Sequence, residues 1–280
     1  WDQSPHNAFT DLVRFENKLF CAFREGRGHV GNLGKIRVLV SEDHGHQWQS
    51  AAEISMDGVD LRDAKLSVTP KGQLMLSGGV QTKESGRSST RTFACFSTTG
   101  NAWSEPSMIT GPGRWLWGVT WHEGKAYGVS YPSPQGAPSS SLLVSNDGQQ
   151  FSPLVRSLMM TQRPTEAVLR FTKDGGCVCL HRRDGQPGHG VFGRAPDPSG
   201  PWSWVTLDRK IGGPGLIQHP SGAWIAVVRL YDGDTRTEVC HIDSSKGTIT
   251  PLCRLPSGGD TSYPGLVWHE GKLLVSYYSS

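Results

Sequence analysis

Three arginines, Arg24, Arg182 and Arg229, each close an apolar run in a chain of 280 residues. If those runs surround a common axis, the three guanidinium groups converge on it. Clustered like charges that lose solvation are costly unless an anion joins them. A carboxylate, sulfate or phosphate would resolve the cluster, because arginine offers two parallel donors to such a group. The alternative is a structural network with nearby acids such as Glu25 and Asp232. Glu166 and Tyr263 each stand at the start of another apolar run. In contact, the carboxylate could take the phenol's proton and turn the tyrosine into a nucleophile.

Such a constellation needs a scaffold, and internal repetition supplies one. An apolar run, a tight turn and a second apolar run recur six times. The turns centre near Asn17, Lys71, Glu123, Asp174, Ser221 and Glu270, at intervals of about fifty residues. Gly, Asn or Asp in each turn suits a hairpin. A second pattern interleaves with the first. It is clearest in Ser41-Glu-Asp43-His-Gly45-His-Gln-Trp48, with relatives ending at Trp103, Phe151, Trp202 and Ile249. Here Asp binds turn amides, Gly takes a positive φ and the aromatic packs beneath, so the motif is structural.

Four strands per fifty residues, repeated six times, predict an all-β fold: a six-bladed β-propeller of four-stranded antiparallel blades over residues 1–280. Only five outer motifs accompany six hairpins. The last blade is therefore expected to be incomplete at the C-terminus, either because the chain is cut after Ser280 or because N-terminal residues close the ring. The start at Trp1, with no signal-like segment, reads as a processed or trimmed chain. In this layout, residues just before the first strand and just after the second meet at one rim. That rim collects His6, Asn7, Asp11, Arg24, Glu25, Arg62, Asp63, Lys65, Trp115, Trp117, Tyr131, Thr165, Glu166, Arg182, Arg183, Arg229, Tyr231, Asp232, Asp260, Tyr263 and Tyr277. The opposite rim carries ordinary turn residues, so the first is expected to be the working face.

At this point the sequence resembles the sialidase (neuraminidase) superfamily, in a bacterial branch of sialidase-like or exo-alpha-sialidase proteins. SEDHGHQW resembles its Asp-box. The stretches HNAFTDLVRF, DLRDAKLSV, RPTEAVLRF and GGDTSYPGLVWHEGKLLVSYYS carry the likeness over essentially the whole chain. The resemblance implies release of terminal sialic acid, with Glu166 as base, Tyr263 as nucleophile, and Arg24, Arg182 and Arg229 holding the carboxylate. A tyrosine nucleophile suits an anionic sugar, which would repel a carboxylate. The family's usual first arginine is replaced by Pro5-His6-Asn7-Ala8, and its acid/base Asp is missing from the loop 25–34. Asp63 is therefore the first choice of acid, with His29 or Glu25 second. Trp117 or Trp115 is expected to pack on the sugar, with Asp11 and Asp232 as further binding residues. A hydrolase or lyase for another acidic glycan, or a non-catalytic carbohydrate-binding propeller, fits the same residues.

Composition narrows the rest. The 35 glycines and 18 prolines are too many for a helical bundle. A net charge of +3 without long basic blocks gives no nucleic-acid footprint. No apolar run reaches the ~18 residues of a membrane span. The six cysteines lack metal spacing and sit mostly in strand-like runs, so they are expected to be buried free thiols. No cofactor or catalytic metal is expected from the motifs. A secreted or periplasmic location is slightly favoured.

Overall fold

The structure is a computed structural model that describes residues 1–29, 33–84, 87–133 and 139–279, with the side chains of 83, 84, 87 and 88 set aside. The first blade is β1 (His6–Phe15), β2 (Lys18–Gly26), β3 (Lys35–Ser41) and β4 (Gln49–Ile54). The second is β5 (Asp60–Val68), β6 (Leu74–Glu84), β7 (Arg87–Ser97) and β8 (Ser107–Met108). The third has a broken inner strand, β9 (Arg114–Leu116) and β10 (Thr120–His122), followed by β11 (Lys125–Pro132), β12 (Ser140–Ser145) and β13 (Ser152–Met159). The fourth is β14 (Pro164–Phe171), β15 (Cys177–Arg183), β16 (His189–Ala195) and the first half of β17 (Ser203–Gln218). The second half of β17 opens the fifth blade, with β18 (Trp224–Leu230), β19 (Arg236–Asp243) and β20 (Thr248–Arg254). The hairpin β21 (Thr261–His269) and β22 (Lys272–Ser279) is the sixth. All pairings are antiparallel between sequence neighbours, with β9 and β10 sharing β11.

This is the propeller the repeat predicts, with two local departures. First, β17 pairs with β16 through Ser203–Lys210 and with β18 through Ile211–Gln218. One uninterrupted strand thus leaves the outer edge of the fourth blade and becomes the inner strand of the fifth, without an intervening loop. Second, Gly118 at φ 83° separates β9 from β10, so the inner strand of the third blade is bent at the rim.

The core lies between blades, because each sheet has two apolar faces that neighbouring sheets must cover. Phe20, Ala22, Ile36 and Val38 of the first blade meet Leu61, Leu66, Leu76 and Phe93 of the second. Val178, Leu180 and Phe192 of the fourth meet Leu216, Ala226 and Val228 of the fifth. All six cysteines are free thiols; five are buried, as expected, and Cys253 is exposed. The Ser41–Trp48 turn behaves as local physics requires. Asp43 Oδ1 accepts the Gln47 amide at 2.8 Å, and Trp48 Nε1 donates to Gly45 O at 3.0 Å.

The ring closes between the sixth and first blades. Thr10 Oγ1 donates to Tyr263 O at 2.8 Å, and Leu12, Leu19 and Phe23 pack with Val267 and Leu274. The N-terminal segment adds no strand to this blade; among the described residues nothing pairs with the outer edge of β22. A groove of about 550 Å³ runs there, between Leu19, Phe23, Trp48 and Leu274. At the seam a Cβ on Gly265 would collide with the backbone nitrogen of Leu12. Gly265→Ala must therefore push β21 away from β1. We expect it to cost about 3 kcal/mol, at the upper end for overpacking, as a lower midpoint in urea unfolding.

Candidate functional site at the propeller mouth

The inner strands of five blades share one irregularity at the same rim. A bulge interrupts pairing between Ala8 and Asp11, Arg62 and Lys65, Pro164 and Ala167, Gly212 and Gly215, and Ser262 and Gly265. A bulge re-aims side chains and ends regular pairing. The first bulged residue takes a positive φ in four blades: Phe9 (64°), Asp63 (50°), Gly213 (50°) and Tyr263 (53°). For the three non-glycine residues this conformation costs roughly 1–2 kcal/mol each. Strain of that kind clusters where side-chain placement matters more than local stability.

Tyr263 and Glu166 meet. Tyr263 OH donates to Glu166 Oε1 at 2.8 Å, and Arg182 Nη1 donates to the same oxygen at 2.7 Å. Arg182 Nη1 also lies 3.4 Å from the phenol oxygen. The Gly213 amide donates to Glu166 Oε2 at 3.0 Å, so both carboxylate oxygens are held. Burial, then the Glu166 carboxylate, keep the Tyr263 phenol well above its ordinary value. It is therefore protonated at rest, with its acceptor already in contact. Around it stand Phe9, edge-on at 5.2 Å, Trp117 at 5.6 Å and Tyr278, stacked at 6.2 Å. Trp115, Trp117 and Tyr131 form one aromatic wall, which needs the glycine at 79 because a Cβ there would overlap Trp115.

Asp63 is buried in the same floor, with the Arg62 guanidinium 3.7 Å away. Burial raises its carboxyl to about 6, opposed by Arg62 and reinforced by Glu166. The unfolded chain would titrate this group near 3.8. The native state thus holds the extra proton between about pH 4 and 6. Its stabilising contribution is complete below that window and is lost as pH rises through 6. As an acid in a reaction, Asp63 works only while protonated. We expect activity to fall above about pH 6, and Asp63→Asn to lose activity at all pH values together with that limb. A pH–rate profile, with urea unfolding at pH 4.5 and 7.5, checks both.

No family model matches this chain, and no curated protein matches it. Solved structures do. A Dyadobacter fermentans protein of unknown function superposes with a TM-score of 0.81 at 18% identity, covering 98% of this chain and 91% of that one. The alpha-L-arabinofuranosidase Arb93A of Fusarium graminearum gives 0.75 at 13%, covering 99% and 89%. The NanB sialidase of Streptococcus pneumoniae gives 0.70 at 11%, covering 98% of this chain and 68% of that one. The shared property is the fold. This chain has the propeller architecture that glycoside hydrolases of more than one specificity use.

The structure corrects part of the expected binding set. Arg24 is fully buried rather than at the mouth. Its Nε and Nη2 reach Asp60 Oδ1 at 2.9 and 2.8 Å, and Nη1 donates to Gly28 O. The structural-network alternative holds for this residue. Asp11 faces inward along the axis: its Oδ2 accepts the Leu66 amide at 2.7 Å, tying β1 to β5, and it lines a channel cavity of about 280 Å³. Asp232 pairs with Arg209 and Arg236, its side chain 45% exposed. None of these three joins Tyr263. The shared register position of the arginines is also corrected. Arg24 and Arg229 pair opposite Ala8 and Gly212, but the equivalent in the fourth blade is Arg183, opposite Pro164. Arg182 is one step along and so points the other way, toward Glu166.

Arg229 does reach the mouth. Its guanidinium lies 5.7 Å from the Tyr263 ring centroid and contacts Asp260 and Tyr278. His29 is there too, its side chain half exposed and its Nδ1 3.3 Å from Asp260 Oδ2. Burial lowers its pKa, with Arg62 and Arg229 adding to the effect against Asp260. The following residues 30–32 lie outside the described residues. Glu25 is turned away, bound to Arg37. Sequence reasoning assigned no role to Phe9, Arg62, Asp260 or Tyr278. Register would have found two of them: Phe9 stands where Tyr263 does, and Tyr278, not the expected Tyr277, stands where Arg24 and Arg229 do, while Tyr277 turns out to donate to Pro256 O.

Proposed function

We propose that the chain is an exo-acting glycoside hydrolase whose reacting centre is Tyr263 with Glu166, and whose substrate ends in an acidic sugar of the sialic acid type. The observation that carries this reading is the single oxygen, Glu166 Oε1, that receives both the phenol of Tyr263 and the guanidinium of Arg182. In the proposed step Glu166 takes the phenol proton as the Tyr263 oxygen bonds to the anomeric carbon. The bond to the leaving oxygen breaks, and Asp63 donates its proton to that oxygen. Water then cleaves the glycosyl–tyrosine bond, returning a proton to Asp63, and Glu166 returns its own to the phenolate. Arg182, already within 3.4 Å of the phenol oxygen, opposes the charge that develops there. Arg229, over the Tyr263 ring, and Arg62, over the neighbouring Phe9 ring, would meet a substrate carboxylate, with Trp117 against the sugar's apolar face.

A second reading keeps the residues and changes the sugar. Two of the three mouth arginines already face a carboxylate: Arg182 has Glu166 and Asp184, and Arg229 has Asp260, while the Asp63 beside Arg62 holds a proton below about pH 6. That partial balance weakens the electrostatic need for an anionic ligand and leaves room for a neutral sugar such as a pentoside. Aryl glycosides of sialic acid and of arabinofuranose, with uronic acid polymers beside them, separate the cases. Turnover of the sialoside supports the first reading. Turnover confined to the arabinoside establishes the second, and saturable binding without turnover of any would mean a carbohydrate-binding propeller.

A further inference from the structure

We propose that His6, His29 and Asp260 form a site for a divalent transition metal of the zinc type at the propeller mouth, beside the Tyr263–Glu166 pair. The three residues come from the start of β1, the loop after β2 and the loop before β21. One ligand atom from each lies within 4.8 Å of the other two. Their distance in sequence is why no metal motif is visible there.

Two observations beyond proximity point to a ligand. His6 Nδ1 is buried and has no hydrogen-bond partner among the described residues. Leaving such an atom unsatisfied is costly, and an ion held by its neighbours would engage it. The carboxylate is also oriented from behind. Tyr278 OH donates to Asp260 Oδ2 at 3.0 Å, and Arg229 Nη2 reaches Oδ1 at 3.2 Å. Supporting contacts of this kind fix the ligands of metal centres. The rings are steadied too, with His29 edge-on to His6 at 5.4 Å and to Phe9 at 5.1 Å.

The donor set decides the ion. Two imidazoles and one carboxylate suit zinc and its neighbours. Calcium and magnesium require several oxygen ligands, and here the arginines at 62 and 229 stand nearby with one carboxylate. A second cluster, His44, His269 and Glu270, lies on the opposite rim. There the two imidazoles already bond each other, His44 Nδ1 to His269 Nε2 at 2.5 Å, whereas at the mouth His29 Nδ1 approaches Asp260 Oδ2 at 3.3 Å and His6 Nδ1 keeps no partner among the described residues. That cluster serves as the control.

The test is calorimetric titration of chelator-stripped protein with zinc, and with cobalt as a spectroscopic reporter. One equivalent should bind per chain. His29→Ala removes a half-exposed side chain, so the fold should persist, and binding should weaken by at least ~10-fold. His6→Ala, checked by circular dichroism, should do the same, and His44→Ala should bind as the parent does. Absence of saturable binding, or binding that survives both mouth substitutions or disappears with His44→Ala, would overturn the proposal. The titration needs no turnover, so its outcome is independent of the substrate reading above.

Discussion

Tyr263→Phe should lower kcat by roughly 10³-fold, within the range that loss of a positioned acid–base or nucleophilic partner produces, while KM changes little. The ring stays, so its contacts with Phe9, Trp117 and Tyr278 stay. What disappears is the hydroxyl 2.8 Å from Glu166. Glu166 keeps Arg182 and the Gly213 amide as partners, and the site should hold its shape. Steady-state kinetics with an aryl glycoside measures the effect, and an unchanged unfolding midpoint shows that stability is not its source. A variant with near-parent kcat would remove Tyr263 from the chemistry.

Arg24→Ala should act on the opposite quantity. Removing one partner of a buried ion pair typically costs about 3–5 kcal/mol, because the remaining charge stays in the interior. Among the described residues Asp60 would keep only the Gly34 amide on Oδ1, and Gly28 O would lose the Arg24 donor. The unfolding midpoint in urea should fall accordingly, while KM of the folded fraction stays within about twofold of the parent. Arg229→Ala, at the mouth, should instead raise KM with a smaller loss of stability. A large KM increase with unchanged stability in Arg24→Ala would restore that arginine to the binding set.

These two residues show what the sequence makes legible. The period of about fifty follows from local physics that single residues report: glycine in turns, apolar alternation in strands, an aromatic under each outer turn. Glu166 and Tyr263 were readable for the same reason, since the start of an inner strand is a position in the repeat. Their side chains meet because bulges re-aim them, and the positive φ at Tyr263 and Asp63 has no signature in their residue types. Arg24 and Arg229 share a register position, yet one is sealed against Asp60 and the other reaches the mouth, so the local acid and not the register decides; Arg182, one step off, reaches Glu166. Asp11 likewise looks like a rim acid in the sequence and proves to be a tie between neighbouring inner strands. The direct passage of β17 from one blade to the next was not readable, because the change of partner between Lys210 and Ile211 depends on how adjacent sheets sit.

The central claim is that the oxygen of Tyr263 attacks the sugar. A glycosyl fluoride with a second, deactivating fluorine on the ring should form the intermediate quickly and release it slowly. Peptide mass spectrometry of the inactivated protein should then place the glycosyl group on the tryptic peptide carrying Tyr263, at the phenol oxygen. An adduct on Glu166 or Asp63, or a first-released sugar of inverted anomeric configuration with no adduct, would contradict it.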